Sequence, residues 1–220
     1  MAKKDALAFR FDSGAIWLNL LATKGRTFST NPIERLATPS RLAEWLERCE
    51  LTPARPLDHD DLRRARTLRE TLRVLALATV DQQPPPAGAI AELTAFLAEH
   101  NDPIRLTADD RLRREPPATT LDALARIARQ AVDQMTGADR FALKSCPEHD
   151  CRGVFIDPPG HRRWCPSPAC ASRGRVRAHR ARRSAAAPDA GSNDAAASAA
   201  GKQVAVQDRE AGRSPCEDAR

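Results

Sequence analysis

Tyrosine is absent from this chain of 220 residues, aromatics make up only 4% of it, and it holds just ten glycines and two methionines. A core so poor in aromatics has to be built from Leu, Ala, Ile and Val, which suits packed helices and excludes an all-β sandwich. Long apolar runs are missing too. The longest early stretch, Gly14 to Ala22, is interrupted by Asn19 and falls short of the roughly 18 apolar residues a spanning helix needs. No membrane segment or secretory leader is therefore expected, and the expected location is the cytoplasm. In that reducing compartment six cysteines are not read as a disulfide framework, so regular spacing among them needs another explanation.

What is present is a hydrophobic fraction of 41%, enough for a buried core, and a net charge of +6 that is unevenly placed. Between Arg140 and Arg183 eleven Lys and Arg face three acids, a net of +8, so the rest of the chain sums to −2. A basic segment attached to a slightly acidic body points to a module that binds a polyanion.

Helical signals dominate the first part of the chain. Thr38-Pro39 reads as an N-cap with Pro at the first helical position, followed by Leu42, Trp45, Leu46 and Cys49 at helical spacing, a helix over about 39–50. Asp58, with Asp60 and Asp61 in the first turn, opens a run through Leu62, Ala65, Leu68, Leu72, Leu75 and Thr79 that ends before Pro84-Pro85-Pro86. Ile90, Leu93 and Leu97 mark a third helix. Thr119 or Thr120 caps a fourth, with its apolar stripe from Leu121 to Met135 and its stop at Gly137. Between these two, 103–107 and 111–115 flank Ala108-Asp109-Asp110 as a short hairpin. Beyond Arg183 the composition turns to Ala, Ser, Gly, Asp and Pro without periodicity, which reads as a disordered tail over 184–220 containing Cys216 as a free thiol.

The remaining cysteines form two matched pairs. Cys146 and Cys151 enclose four residues, Cys165 and Cys170 another four, and thirteen residues separate the pairs. Four thiolates in two knuckles complete the tetrahedron of a structural Zn2+ site with no open position. His149 and His161 are near enough to compete as ligands, but the cysteines already fill the shell. The connecting stretch reads as strand (Gly153 to Ile156), turn (Asp157-Pro158-Pro159-Gly160) and strand (His161 to Trp164), with Phe155 and Trp164 packed over the metal.

From Ala171 to Arg183 there is no acid at all. As a helix, this segment carries Arg173, Arg177 and Arg180 on one face and Arg175, His179 and Arg182 on the neighbouring one, leaving a strip around Val176 to touch the domain. Arg183 follows, and Arg162 and Arg163 extend the patch. A nucleic acid is the expected partner: on duplex DNA the face of Arg173, Arg177 and Arg180 would meet base edges, and Arg162, Arg163, Arg182 and Arg183 phosphates. An RNA-binding or protein-docking module is the alternative. An enzyme is not expected, because neither a phosphate-binding glycine loop nor a nucleophile–base pairing is found and the five histidines are scattered.

Arg162-Arg163-Trp164-Cys165, Cys170, Arg173 and Ala178-His179-Arg180-Ala181-Arg182-Arg183 resemble the CGNR zinc finger. Phe9 to Leu20 and Glu34 to Pro39 resemble the ABATE domain that accompanies this finger in bacterial proteins regarded as stress-induced transcription regulators. The resemblance implies a mainly α protein with a minor β component. A helical ABATE-like domain over 1–138 would act as sensor of an unidentified small molecule or as a dimerisation unit. A small zinc-ribbon or treble-clef-like finger with an Arg-rich helix would follow over 139–183. The chain departs from the motif that names the finger, with Ala171 and Ser172 in place of Gly and Asn; the cysteines and Arg173 are kept.

Overall fold

The structure, a computed structural model, describes residues 7–186 except Asp109, Pro158 and Pro159. The expected tail beyond residue 186, with Cys216, lies outside the described residues. The elements follow in the order α1 (Ile16–Leu21), β1 (Lys24–Gly25), β2 (Ile33–Glu34), α2 (Pro39–Arg48), α3 (His59–Val80), α4 (Ala87–Glu99), β3 (Leu106–Ala108), β4 (Leu112–Arg114), α5 (Thr120–Thr136), a 3₁₀ turn (Ala138–Ala142), β5 (Leu143–Ser145), β6 (Val154–Ile156) and α6 (Pro168–Ala186). The strands form three separate antiparallel pairs, β1–β2, β3–β4 and β5–β6. Residues 7–179 belong to one compact unit; the described part of the second unit, from Arg180, is the end of α6.

The cap chemistry read from the sequence operates in three helices. Thr38 accepts from the Arg41 N–H at the start of α2. Asp58 with Asp61, and Thr119 with Asp122, close reciprocal capping boxes on α3 and α5, satisfying amides that have no partner inside the helix. The long α3 lies at the centre, packed against α1, α4 and α5. Its apolar side, with Ala65, Leu68 and Leu72, joins Trp17, Trp45, Leu46, Leu124 and Ala128 in one buried cluster. Cys49 packs at the edge of that cluster, where burial pushes its thiol up to about 12 and keeps it unreactive.

The short α1 is the α-helix that periodicity missed. Trp17, Leu18, Asn19, Leu20 and Leu21 are all buried, so every face is covered and no polar stripe marks the helix. Asn19 is accommodated because its Oδ1 accepts from the Ser13 N–H at 3.1 Å. Two arginines of α3 are buried as well. Arg69, 2% exposed, donates to Glu34 at 2.8 and 2.6 Å and to Glu70 at 2.9 Å, while Arg73 donates to Glu70 and to the Leu21 carbonyl. These bonds tie α3 to β2 and to the end of α1. Removing one partner would leave a charge buried and uncompensated.

The β3–β4 hairpin forms as expected, with Leu106 opposite Arg114 and Ala108 opposite Leu112. The hairpin expected between the cysteine pairs does not. Residues 161–164 are not a strand, and β6 instead pairs with β5, matching Leu143 with Ile156 and Ser145 with Val154. The reason is burial. Leu143 and Val154 are both buried in the main cluster, whereas His161, Arg162 and Arg163 are exposed and offer β6 no apolar face.

Candidate metal centre and nucleic-acid interface

Cys146 leaves the end of β5 and donates its N–H to the Gly153 carbonyl at 2.9 Å; the Cys151 and Arg152 amides both bond the Glu148 carbonyl at 2.9 Å. This turn is the first knuckle. Arg152 closes it with a left-handed backbone (φ 44°) ahead of Gly153, which lies beside the Cys151 and Cys165 sulfurs. The second knuckle is the start of α6, where the Cys170 N–H bonds the Ser167 carbonyl at 3.0 Å.

The two knuckles bring Cys146, Cys151, Cys165 and Cys170 together, with their sulfurs all within 4.8 Å of one another. The Cys151 and Cys165 sulfurs are 3.8 Å apart. That is far beyond a disulfide bond of about 2.05 Å, and it equals the edge, about 3.8 Å, of a tetrahedron with Zn–S bonds of 2.3 Å. The donor set fits Zn2+. His149 and His161 are exposed and lie outside the cluster. Four thiolates packed this closely repel one another. A divalent ion relieves that conflict by stabilising all four thiolates at once.

Trp164 packs against the cysteine cluster, as expected of it, and reaches α6 at Gly174, where a Cβ would overlap the indole ring. Phe155 is fully buried; strand alternation sets it on the side of β6 opposite Val154 and Ile156.

The Arg-rich segment is helical, as read, and runs three residues past Arg183 to Ala186. Its orientation differs from the expectation. Val176 is 45% exposed, so the strip around it does not touch the domain. The inward side carries Cys170, Arg173, Gly174 and Arg177 instead. Arg173 donates to both Asp150 carboxylate oxygens at 2.9 and 3.0 Å, and Arg177 donates to Glu148, a residue only 1% exposed. Burial works against the charge of Arg173, yet Asp150 holds its pKa above the ordinary value; the hydrogen bond to Glu148 does the same for Arg177. Asp150 is gripped again by Arg26 at 3.4 Å, and its carbonyl accepts from the Phe28 N–H.

Glu148, Asp150 and Arg26 are the site residues that the sequence reading missed. The available signal was the placement of two acids inside the first knuckle of a segment otherwise almost free of them. Arg175, His179, Arg180, Arg182 and Arg183 are exposed, and among the described residues none of these arginines forms an ion pair. Arg162 is exposed, with its own N–H on Asp157 at 2.6 Å, and the exposed Arg163 lies over the Trp164 ring at 5.2 Å.

Among the described residues no helix is long and apolar enough to cross a membrane. A search of the curated proteins found no match. Residues 14–138 match the ABATE family, described as "Putative stress-induced transcription regulator", and residues 142–183 match the CGNR zinc finger. With more than half of its length in the first match, this zinc-binding, mainly α-helical chain belongs to the ABATE family and carries a CGNR finger.

Proposed function

We propose that the protein is a cytoplasmic, non-enzymatic regulator of transcription that binds duplex DNA through its zinc-supported helix α6, with the ABATE body as the sensing or dimerising part. The observation that carries this reading is the split of α6 into two sides. One is committed to the knuckle through Arg173 and Arg177; the other presents Arg175, His179 and Arg182 without an acidic partner among the described residues. A helix that exposes so many guanidiniums repels itself unless a polyanion neutralises it, and the free side together with Arg162 and Arg163 supplies that contact. Phosphate contacts made by the arginines set the register, and His179 on the outer face is the side chain offered to base edges.

The test is the affinity of the zinc-loaded full chain for duplex DNA against structured RNA and heparin, repeated after chelation. Preference for duplex DNA, steep salt dependence and loss on chelation are expected. Tighter binding to RNA, or a flat salt response, would refute the reading.

A further inference from the structure

A cavity of about 160 Å³ lies within the compact unit, between the first hairpin of the ABATE body and the second zinc knuckle. Six cations line it, Arg10, Lys24, Arg26, Arg35, Arg73 and Arg173, and on the knuckle side so do Cys151, Cys165 and Cys170, three of the four metal ligands. The most deeply placed is Arg35, 4% exposed, whose Nε is buried without a hydrogen-bond partner. One of its terminal nitrogens donates to the Ala22 carbonyl at 3.1 Å, and Gly25 lies so close that a Cβ there would stand 2.7 Å from the guanidinium. Burial and then repulsion from Arg10 lower the Arg35 pKa to about 10. Two guanidiniums therefore face one cavity, and among the described residues neither forms an ion pair.

The surrounding charges do not cancel. Lys24, Arg69 and Arg73 share two carboxylates, Glu34 and Glu70. Arg26, Arg173 and Arg177 share another two, Glu148 and Asp150. With Arg10 and Arg35 this leaves four positive charges in excess. A zinc ion held by four thiolates carries a formal charge of about −2, which neutralises only half of them. The cavity is too small for a nucleotide or another drug-sized ligand, which needs roughly 300 Å³ or more. We infer that this cavity, between the ABATE hairpin and the second knuckle, is a binding site for a small free oxyanion, with Arg10 and Arg35 as its principal donors.

The site deepens the sensing role proposed above and rests on that reading only for the use made of the anion, not for its binding. A ligand seated there would touch the ABATE body through Arg35 and the knuckle through Arg173.

The experiment is calorimetric titration of the zinc-loaded full chain with inorganic phosphate, and separately with acetate, in chloride buffer without DNA. Thermal shift provides a second readout. Saturable binding of one anion per chain is expected. Arg10→Gln and Arg35→Gln should each weaken it about tenfold or more, the loss of one charge-assisted hydrogen bond, while the exposed Arg63→Gln on α3 changes nothing. Among the described residues Arg10 forms no ion pair, and it is half-buried, so Arg10→Gln keeps the test valid if Arg35→Gln fails to fold. Absence of saturable binding to the wild type, or unchanged affinity in Arg10→Gln, would overturn the inference. So would loss of zinc from Arg10→Gln without anion binding to the wild type, which would assign the cations to the thiolates alone. If Arg10→Gln weakens DNA binding in phosphate-free buffer, the occupant is a DNA phosphate and the free-anion site is refuted. Because the titration contains no DNA, failure of the DNA-binding reading leaves it standing.

Discussion

The two sides of α6 should separate in a single pair of substitutions, Arg175→Ala and Arg173→Ala. Six guanidiniums of the finger, those of Arg162, Arg163, Arg175, Arg180, Arg182 and Arg183, have no acidic partner among the described residues. If all six meet phosphates, the logarithmic slope of affinity against salt is about −5.4, at 0.9 per contact. Arg175→Ala should then flatten it to about −4.5, and the folded chain should melt at an unchanged temperature. Arg173→Ala removes the pair of bonds to Asp150 and one cation beside Glu148, which is only 1% exposed. Breaking a fully buried pair costs 3–5 kcal/mol, but the Arg173 side chain is one-third exposed, so about 1–2 kcal/mol is expected here. For a chain of this size that lowers Tm by roughly 3–6 °C, with the salt slope of the folded protein unchanged. Anisotropy titrations over a series of salt concentrations and a melting curve read both quantities. If Arg173→Ala flattens the slope by about one unit and leaves Tm alone, Arg173 is a DNA contact and the reasoning fails.

Glu148→Gln releases Arg177 from its carboxylate partner and should steepen the salt slope by about 0.9 while lowering Tm. Cys151→Ser with Cys170→Ser should reduce bound zinc from one ion per chain to none, read by metal analysis; retention of zinc would refute the ligand set. Gly174→Ala gains up to about 1 kcal/mol in helix propensity but drives a methyl group into the Trp164 indole, an overpacking cost of about 1–3 kcal/mol, so net destabilisation is expected and a rise in Tm would contradict it. Asp102, held below its ordinary value of 3.8 by the hydrogen bond from Arg126 and against the cost of burial, stabilises the fold above that pH and ceases to as the pH falls through its lowered value. The stability gap between wild type and Asp102→Asn should therefore close on acidification below about pH 4 in denaturant titrations.

Much of this molecule was legible because its helices carry explicit punctuation. Thr38-Pro39, Asp58 with Asp61, and Thr119 with Asp122 fix three helix starts within a residue, since an N-cap is a local bond between a side chain and an amide a few positions on. The cysteine set was legible for the same reason, each pair lying within one knuckle. Non-local features were not. Whether β6 pairs with 161–164 or with Leu143–Ser145 depends on which partner brings an apolar face to the main core, and sequence spacing carries no such information. The rotation of α6 was likewise set at a distance, by Glu148 and Asp150 in the other knuckle capturing Arg173 and Arg177. Even α1 escaped, because burial on all sides erases the periodicity by which an amphipathic helix is found.

The family matches divide the chain near residue 140, but the physical unit does not divide there. Leu143 and Val154 belong to the same buried cluster as Trp17, Leu72 and Leu124; the Ile156 N–H bonds the Ser13 carbonyl at 2.9 Å; and Gly14, at φ +99°, passes so close that a Cβ would meet Ile156 at 2.9 Å. The β5–β6 hairpin thus has two employers: one end holds Cys146 and Cys151 on the metal, and its apolar side closes the core of the ABATE body. A finger mounted this way is not a bead on a linker. Losing the metal frees the turn that sets the β5–β6 register, and burial of Leu143 and Val154, worth about 1.5–3 kcal/mol each, is put at risk with it. Zinc occupancy and stability of the helical body are therefore coupled through the hairpin. Any ligand that shifts the first hairpin of the body acts on the same connection, because Arg26 and Phe28 of that segment already hold Asp150 in the knuckle.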